Sequence, residues 1–145
     1  MLGKVALAPL FRQALAVEIN PSLCAAAEEN LRANEVTNAD VQKSPSADFC
    51  SRVLRRRTWT HKPSGRDFDF RTVLVDPPRS GLDVNTLKLC TLYEHVLYIS
   101  CNPFVSLRRD VNGFKAAGFR LERIALIDHF PYTPHSECAA YLTRV

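Results

Sequence analysis

The chain has 145 residues, 46% of them hydrophobic and 23% charged, a length and balance that suit one globular domain. No apolar run approaches the roughly 20 residues that span a bilayer, and the N-terminal stretch runs into an acidic strand end without a small-residue cleavage site, which argues against a signal peptide. Nineteen basic against fifteen acidic residues give a net charge of +4, and Arg52 to Arg71 alone carries seven Lys/Arg against two Asp.

That basic segment also holds the sole tryptophan, Trp59. Basic residues with an interleaved aromatic fit contacts to a phosphate backbone plus a base-stacking platform; a solvated surface loop fits them too. The five cysteines, at 24, 50, 90, 101 and 138, are irregularly spaced with no CxxC pair. That spacing speaks against a zinc site, and no metal is expected. Scattered thiols without a signal peptide suggest a reducing, cytoplasmic setting.

In chain order, Ala14 to Ile19 (ALAVEI) reads as a strand, and Pro21 to Glu35, rich in Ala, Leu and Glu, as a helix with Pro near its start. Ala39 to Ser44 suits a short strand, Ser46 to Arg57 an amphipathic helix, and Thr60 to Asp67, with Pro, Ser and Gly, a loop. Arg71 to Pro78 (RTVLVDPP) is a buried strand stopped by two prolines. Asp83 to Glu94 reads as a helix with Asp83 as N-cap. His95 to Ser100 is another buried strand, followed by a helix from Pro103 to Gly118 with Gly113 a weak point inside it. Phe119 to Phe130 and Cys138 to Val145 are final strands around a Pro-rich loop. Strands alternating with helices imply an α/β doubly wound sheet in a single domain, residues 1–145. Such sheets bind ligands outside the carboxyl ends of their strands.

Four residues stand at or near those ends. Glu18 could accept hydrogen bonds from vicinal ribose hydroxyls, or simply complement the next helix N-terminus. Asp76 is fixed by Pro77 and Pro78, which restrict φ and remove two backbone donors. Cys101 closes a buried strand just before Asn102, a candidate N-cap, and Pro103; a thiol there feels the positive end of a helix dipole, which favours the thiolate. A small buried core residue is an equally open reading of it. Glu137 lies in a stiff stretch with Phe130, Pro131, Tyr132, Pro134 and His135. It could serve there as a general base, or stand as a solvated loop carboxylate.

Taken together and in order, VLVDPPRSGL, LYISCNP and DHFPYTPHSEC resemble the signature blocks of the S-adenosylmethionine-dependent RNA uracil-5-methyltransferases. The last block is more similar to the tRNA branch than to the 23S rRNA branch. The resemblance runs from about Gly3 to Val145. It implies a Rossmann-like class I methyltransferase fold with S-adenosyl-L-methionine as cofactor and RNA, through a tRNA T-loop, as partner. It implies Cys101 as nucleophile and Glu137 as the base that removes the C5 proton. Glu18 and Asp76 match cofactor-pocket positions, and Gly3 the tail of the Gly-rich cofactor loop. Arg79 matches an arginine near the reacting centre, and Trp59 becomes a candidate RNA contact. Asp48 is the acidic candidate for contacting the adenine.

The same resemblance places a central first strand and most of the Gly-rich loop before Gly3, so the sheet is expected to be incomplete at its N-terminus, with a missing segment or a partner completing it. A non-methylating remnant or RNA-binding module of this family is the alternative reading. A different α/β enzyme using Cys101 would need an elbow or CxxC motif that the sequence does not offer.

Overall fold

A computed structural model describes residues 7–53, 58–128, 131–133 and 136–145. The chain divides after Asp69 into two compact units.

In the first unit, a short turn of 3-10 helix (Ala8–Leu10) precedes β1 (Ala14–Glu18), α1 (Pro21–Ala33), β2 (Ala39–Lys43), α2 (Ser46–Val53), β3 (Thr58–His61) and β4 (Arg66–Asp69). β1 and β2 pair in parallel, Ala14 opposite Ala39 and Glu18 opposite Lys43. Helix α1 crosses between them, as a parallel connection requires. It starts at Asn20, whose Oδ1 accepts from the Ser22 and Leu23 amides. Its buried stripe, Cys24, Ala27 and Leu31, follows helical spacing and packs with Val41. It ends in a Schellman turn: the Val36 amide donates to the Leu31 carbonyl and the Glu35 amide to the Arg32 carbonyl. Glu35 takes the left-handed position of that turn, φ 54°.

Thr60 to Asp67, expected as a loop, proves to be the heart of a hairpin. β3 and β4 pair antiparallel from Thr58 opposite Asp69 to His61 opposite Arg66. The Thr58, Trp59 and Thr60 run favours a strand. Gly65, at φ 69°, supplies the turn conformation that closes it. The helix expected to reach Arg57 is seen from Ser46 to Val53; positions 54–57 lie outside the described residues.

The second unit holds β5 (Thr72–Val75), α3 (Val84–Cys90), β6 (His95–Ser100), a π-helical turn (Pro103–Leu107) running into α4 (Arg108–Ala116), β7 (Phe119–Ile127) and β8 (Glu137–Arg144). The four strands form one sheet in the order β5-β6-β8-β7. β5 and β6 are parallel, and β8 lies antiparallel to both β6 and β7. Alternate residues of β6 (Val96, Tyr98) and β8 (Cys138, Ala140, Leu142) are buried on one face, against Leu107, Val111 and Phe114 of the helical layer. Gly118, φ 83°, ends the helical stretch as its sequence position suggested. Gly113 is not merely a weak point: a Cβ there would stand 2.8 Å from a Leu87 methyl, so its bareness lets α3 and α4 approach.

Candidate active site

The sheet of the second unit brings three of the singled-out residues to one edge. Ser100 at the end of β6 pairs with Cys138 of β8, and the residues next to that pair are Cys101, which follows β6, and Glu137, the first residue of β8. Both are half-buried. Glu137 is thus the first residue of β8 rather than part of the preceding loop. Asp76 follows Val75, which pairs with Tyr98, so it leaves β5 on the other side of β6 at the same edge. Asp76 and Arg79 are exposed.

Asn102, expected to cap the following helix, makes no side-chain cap. Its Nδ2 instead donates to the Arg79 carbonyl oxygen at 3.1 Å, tying the turn after Cys101 to the loop after Asp76. The same turn is held from two other directions. The Asn102 amide donates to Ser100 Oγ at 3.1 Å, and Ser106 Oγ donates to the Asn102 carbonyl oxygen at 3.0 Å. The helical segment starts as a π turn, and the Leu107 amide reaches back to the Asn102 carbonyl oxygen.

Sequence reasoning missed a buried polar group beneath this loop. Asp110 is 1% exposed. One of its oxygens, Oδ2, accepts from Tyr98 Oη at 2.6 Å and from the Leu82 amide at 2.8 Å. The other accepts from Arg109 Nε at 2.8 Å and lies 2.7 Å from Nη2. Burial and the hydrogen-bonded Asp110 carboxylate push the Tyr98 phenol well above its ordinary value. The signal was present: Leu107, Asp110, Val111 and Phe114 share one helical face, and a carboxylate on an apolar face must find partners.

In the first unit, Glu18 closes β1, and its Oε1 accepts from the Ile19 and Asn20 amides at 2.8 and 2.9 Å. That fixes the carboxylate at the carboxyl end of the strand. Trp59 is half-buried on β3, its ring edge-on to Phe49 with centroids 5.3 Å apart. Gly3 lies outside the described residues. Asp48 is exposed in the first turn of α2. Among the described residues no cluster of His, Cys, Asp and Glu is arranged to hold a metal ion.

Residues 3–145 match the family described as tRNA (Uracil-5-)-methyltransferase. The chain belongs to that family. It is 40% identical over 140 residues to a tRNA/tmRNA (uracil-C(5))-methyltransferase of Pseudoalteromonas atlantica, covering 95% of this chain and 38% of the relative. The corresponding protein of Cronobacter sakazakii is 40% identical over 143 residues, covering 97% and 38%. The chain thus spans well under half the length of these relatives. Among solved structures it is similar to the Pyrococcus abyssi tRNA (uracil-54, C5)-methyltransferase in complex with S-adenosyl-L-homocysteine. The TM-score is 0.69 at 28% identity, covering 97% of this chain and 30% of that one. The fold is accordingly the Rossmann-like fold of class I methyltransferases. Within this chain, the edge carrying Cys101, Glu137 and Asp76 is the carboxyl edge of the parallel pair β5-β6, where such folds bind ligands.

Proposed function

We propose that this chain is the catalytic part of an S-adenosylmethionine-dependent enzyme that methylates C5 of a uridine in tRNA, the T-loop uridine at position 54. The observation that carries the reading is that Cys101 directly follows β6 and Glu137 opens β8, each next to the paired Ser100 and Cys138, in a chain of this family. A thiol and a carboxylate side by side are what the chemistry needs. The Cys101 thiolate adds to C6 of the uracil, and the electron pair moves into the ring as an enolate, making C5 nucleophilic. Once C5 carries the new methyl group, the Glu137 carboxylate takes its remaining proton. The released pair reforms the C5–C6 double bond and expels the thiolate. A uridine stacked in a folded loop would have to flip out to reach Cys101.

By the family resemblance, Glu18 and Asp76 are each proposed as a cofactor contact. Carboxylates at strand ends accept from ribose hydroxyls and from an amino group, and the two amides orienting Glu18 leave it suited to that task. When bound, S-adenosylmethionine supplies an electrophilic methyl group on a sulfonium centre. Arg79, in the loop tied to Asn102, is proposed to contact the RNA. Trp59 and the basic residues around it are proposed as a second RNA contact. A reducing, cytoplasmic location suits the thiols of Cys24, Cys90, Cys101 and Cys138, none of which forms a disulfide in the described residues.

The test is trapping with 5-fluorouridine-substituted tRNA in the presence of cofactor. Fluorine at C5 blocks proton removal, so a covalent complex is expected to accumulate with the wild type and to vanish with Cys101→Ala. Glu137→Gln is expected to accumulate the methylated adduct on ordinary tRNA. A complex that survives Cys101→Ala, or ready product release by Glu137→Gln, overturns the assignments. Trapping on a 23S rRNA fragment but not on tRNA would transfer the substrate to the ribosome. Absence of cofactor binding by a folded protein would favour the non-methylating remnant.

A further inference from the structure

We infer that Asp110 is a positioning residue for the reaction at Cys101, acting through the loop that carries Asp76 and Arg79; this rests on the reading of Cys101 as nucleophile. Two points fasten that loop to the helix that follows Cys101. At its far end, Leu82 is gripped on both polar groups: its amide donates to Asp110 Oδ2 at 2.8 Å, and its carbonyl oxygen accepts from Arg109 Nη2 at 2.9 Å. Nearer the nucleophile, the Arg79 carbonyl oxygen accepts from Asn102 Nδ2. Between them Gly81 lies at φ 79°, and a Cβ there would stand 2.6 Å from both Asp110 Oδ2 and Arg109 Nη2 and 2.8 Å from Ser106 Cβ. The loop backbone is therefore seated directly on the carboxylate.

Asp110 itself has no freedom to drift. It is 1% exposed, and both oxygens are engaged by groups from three separate segments: Tyr98 on β6, Leu82 in the loop and Arg109 beside it. Tyr98 is on β6, three residues before Cys101, which follows the strand's last residue, Ser100. One carboxylate thus references the loop to the strand that leads into Cys101. A carboxylate is needed because Oδ2 must accept two hydrogen bonds while the other oxygen faces a guanidinium; an amide in its place would leave a buried donor unpaired. Loosening the loop lets Arg79 and Asp76 shift relative to Cys101, and misplacements of about 1 Å cost up to about a hundredfold in rate.

The experiment is single-turnover trapping of 5-fluorouridine tRNA by the protein, with tRNA affinity measured in parallel and each variant assayed below its own unfolding transition. Asp110→Asn is expected to slow trapping by about tenfold or more while tRNA affinity stays within about twofold. Gly81→Ala, which pushes the loop off an intact carboxylate, is expected to show the same split. Phe114→Leu, a core change in the same buried cluster that removes none of the hydrogen bonds to the loop, is expected to lower stability without slowing trapping in the folded protein. Trapping at the wild-type rate by folded Asp110→Asn overturns the inference. If Asp110→Asn does not fold, wild-type trapping by Gly81→Ala overturns it and slowed trapping supports it. Slowing by Phe114→Leu to the same degree would also overturn it, because general destabilisation would then suffice. A wild type that forms no adduct removes the Cys101 reading itself, and this inference with it.

Discussion

Asp83 and Asn102 each stand one residue before a helical turn, and only Asp83 caps it. Asp83 Oδ1 accepts from the Asn85 and Thr86 amides at 2.9 and 3.0 Å, satisfying donors that a helix start leaves open. Asn102 spends its side chain on the Arg79 carbonyl instead. The difference has a pH signature. The hydrogen bond from the Thr86 hydroxyl, then that from its amide, lowers the Asp83 carboxyl below its ordinary 3.8. A carboxyl lowered by folding stabilises the native state above the unfolded value, and the contribution fades as pH falls through the folded one. Asp83→Ala is therefore expected to melt below the wild type at neutral pH, with the gap narrowing as pH drops below about 4. A gap that stays constant across that range would mean the charge has no part in the cap.

At the level of elements, the second unit is held by the packing of α4 on β6 and β8. Phe114 is fully buried and meets Phe119 edge to face, with centroids 5.7 Å apart. Phe114→Ala is expected to cost about 3–5 kcal/mol in a urea titration, because both transfer energy and a cavity are at stake. A loss under about 1 kcal/mol would mean the helix layer collapses onto the gap. The β3–β4 hairpin shows where local reading falls short. Its turn residues, Lys62 to Gly65, were visible, but the flanking strands are only four residues each. Their identity rests on cross-strand partners such as Trp59 and Phe68, which are nine residues apart in sequence.

For the molecule as a whole, charge is concentrated in the segment from Arg52 to Arg71. Of the seven basic residues between Arg52 and Arg71, Arg66 bonds the Thr37 carbonyl and pairs with Asp40, and Arg71 pairs with Glu94. Arg52 and Lys62 are exposed. If the segment binds RNA, the run Arg55, Arg56 and Arg57 is the natural phosphate contact. Replacing all three with Ala is expected to weaken tRNA binding and to flatten its log–log salt dependence by about 2 to 3 in slope. An unchanged slope would return the segment to the status of a solvated loop. The total charge of +4 could not reveal this, since ion pairs are decided by contacts between distant residues.

The sequence by itself determined the alternation of strands and helices, the cap at Asp83, the helix end at Gly118 and the three motif blocks. These depend on neighbours a few residues away, where side-chain type acts on its own backbone. It also singled out Cys101, Asp76 and Glu137, but left Cys101 balanced between core residue and nucleophile on local grounds. Only the tertiary structure decided that Cys101 and Glu137 share a sheet edge, because that follows from the antiparallel register of β6 and β8, about forty residues apart in the chain. Only the tertiary structure turned Asn102 from a cap into a tie, and made Asp110 the seat of the Leu82 loop. A buried carboxylate is affordable only with its partners in place, and those partners come from three segments that meet when the sheet and its helices pack.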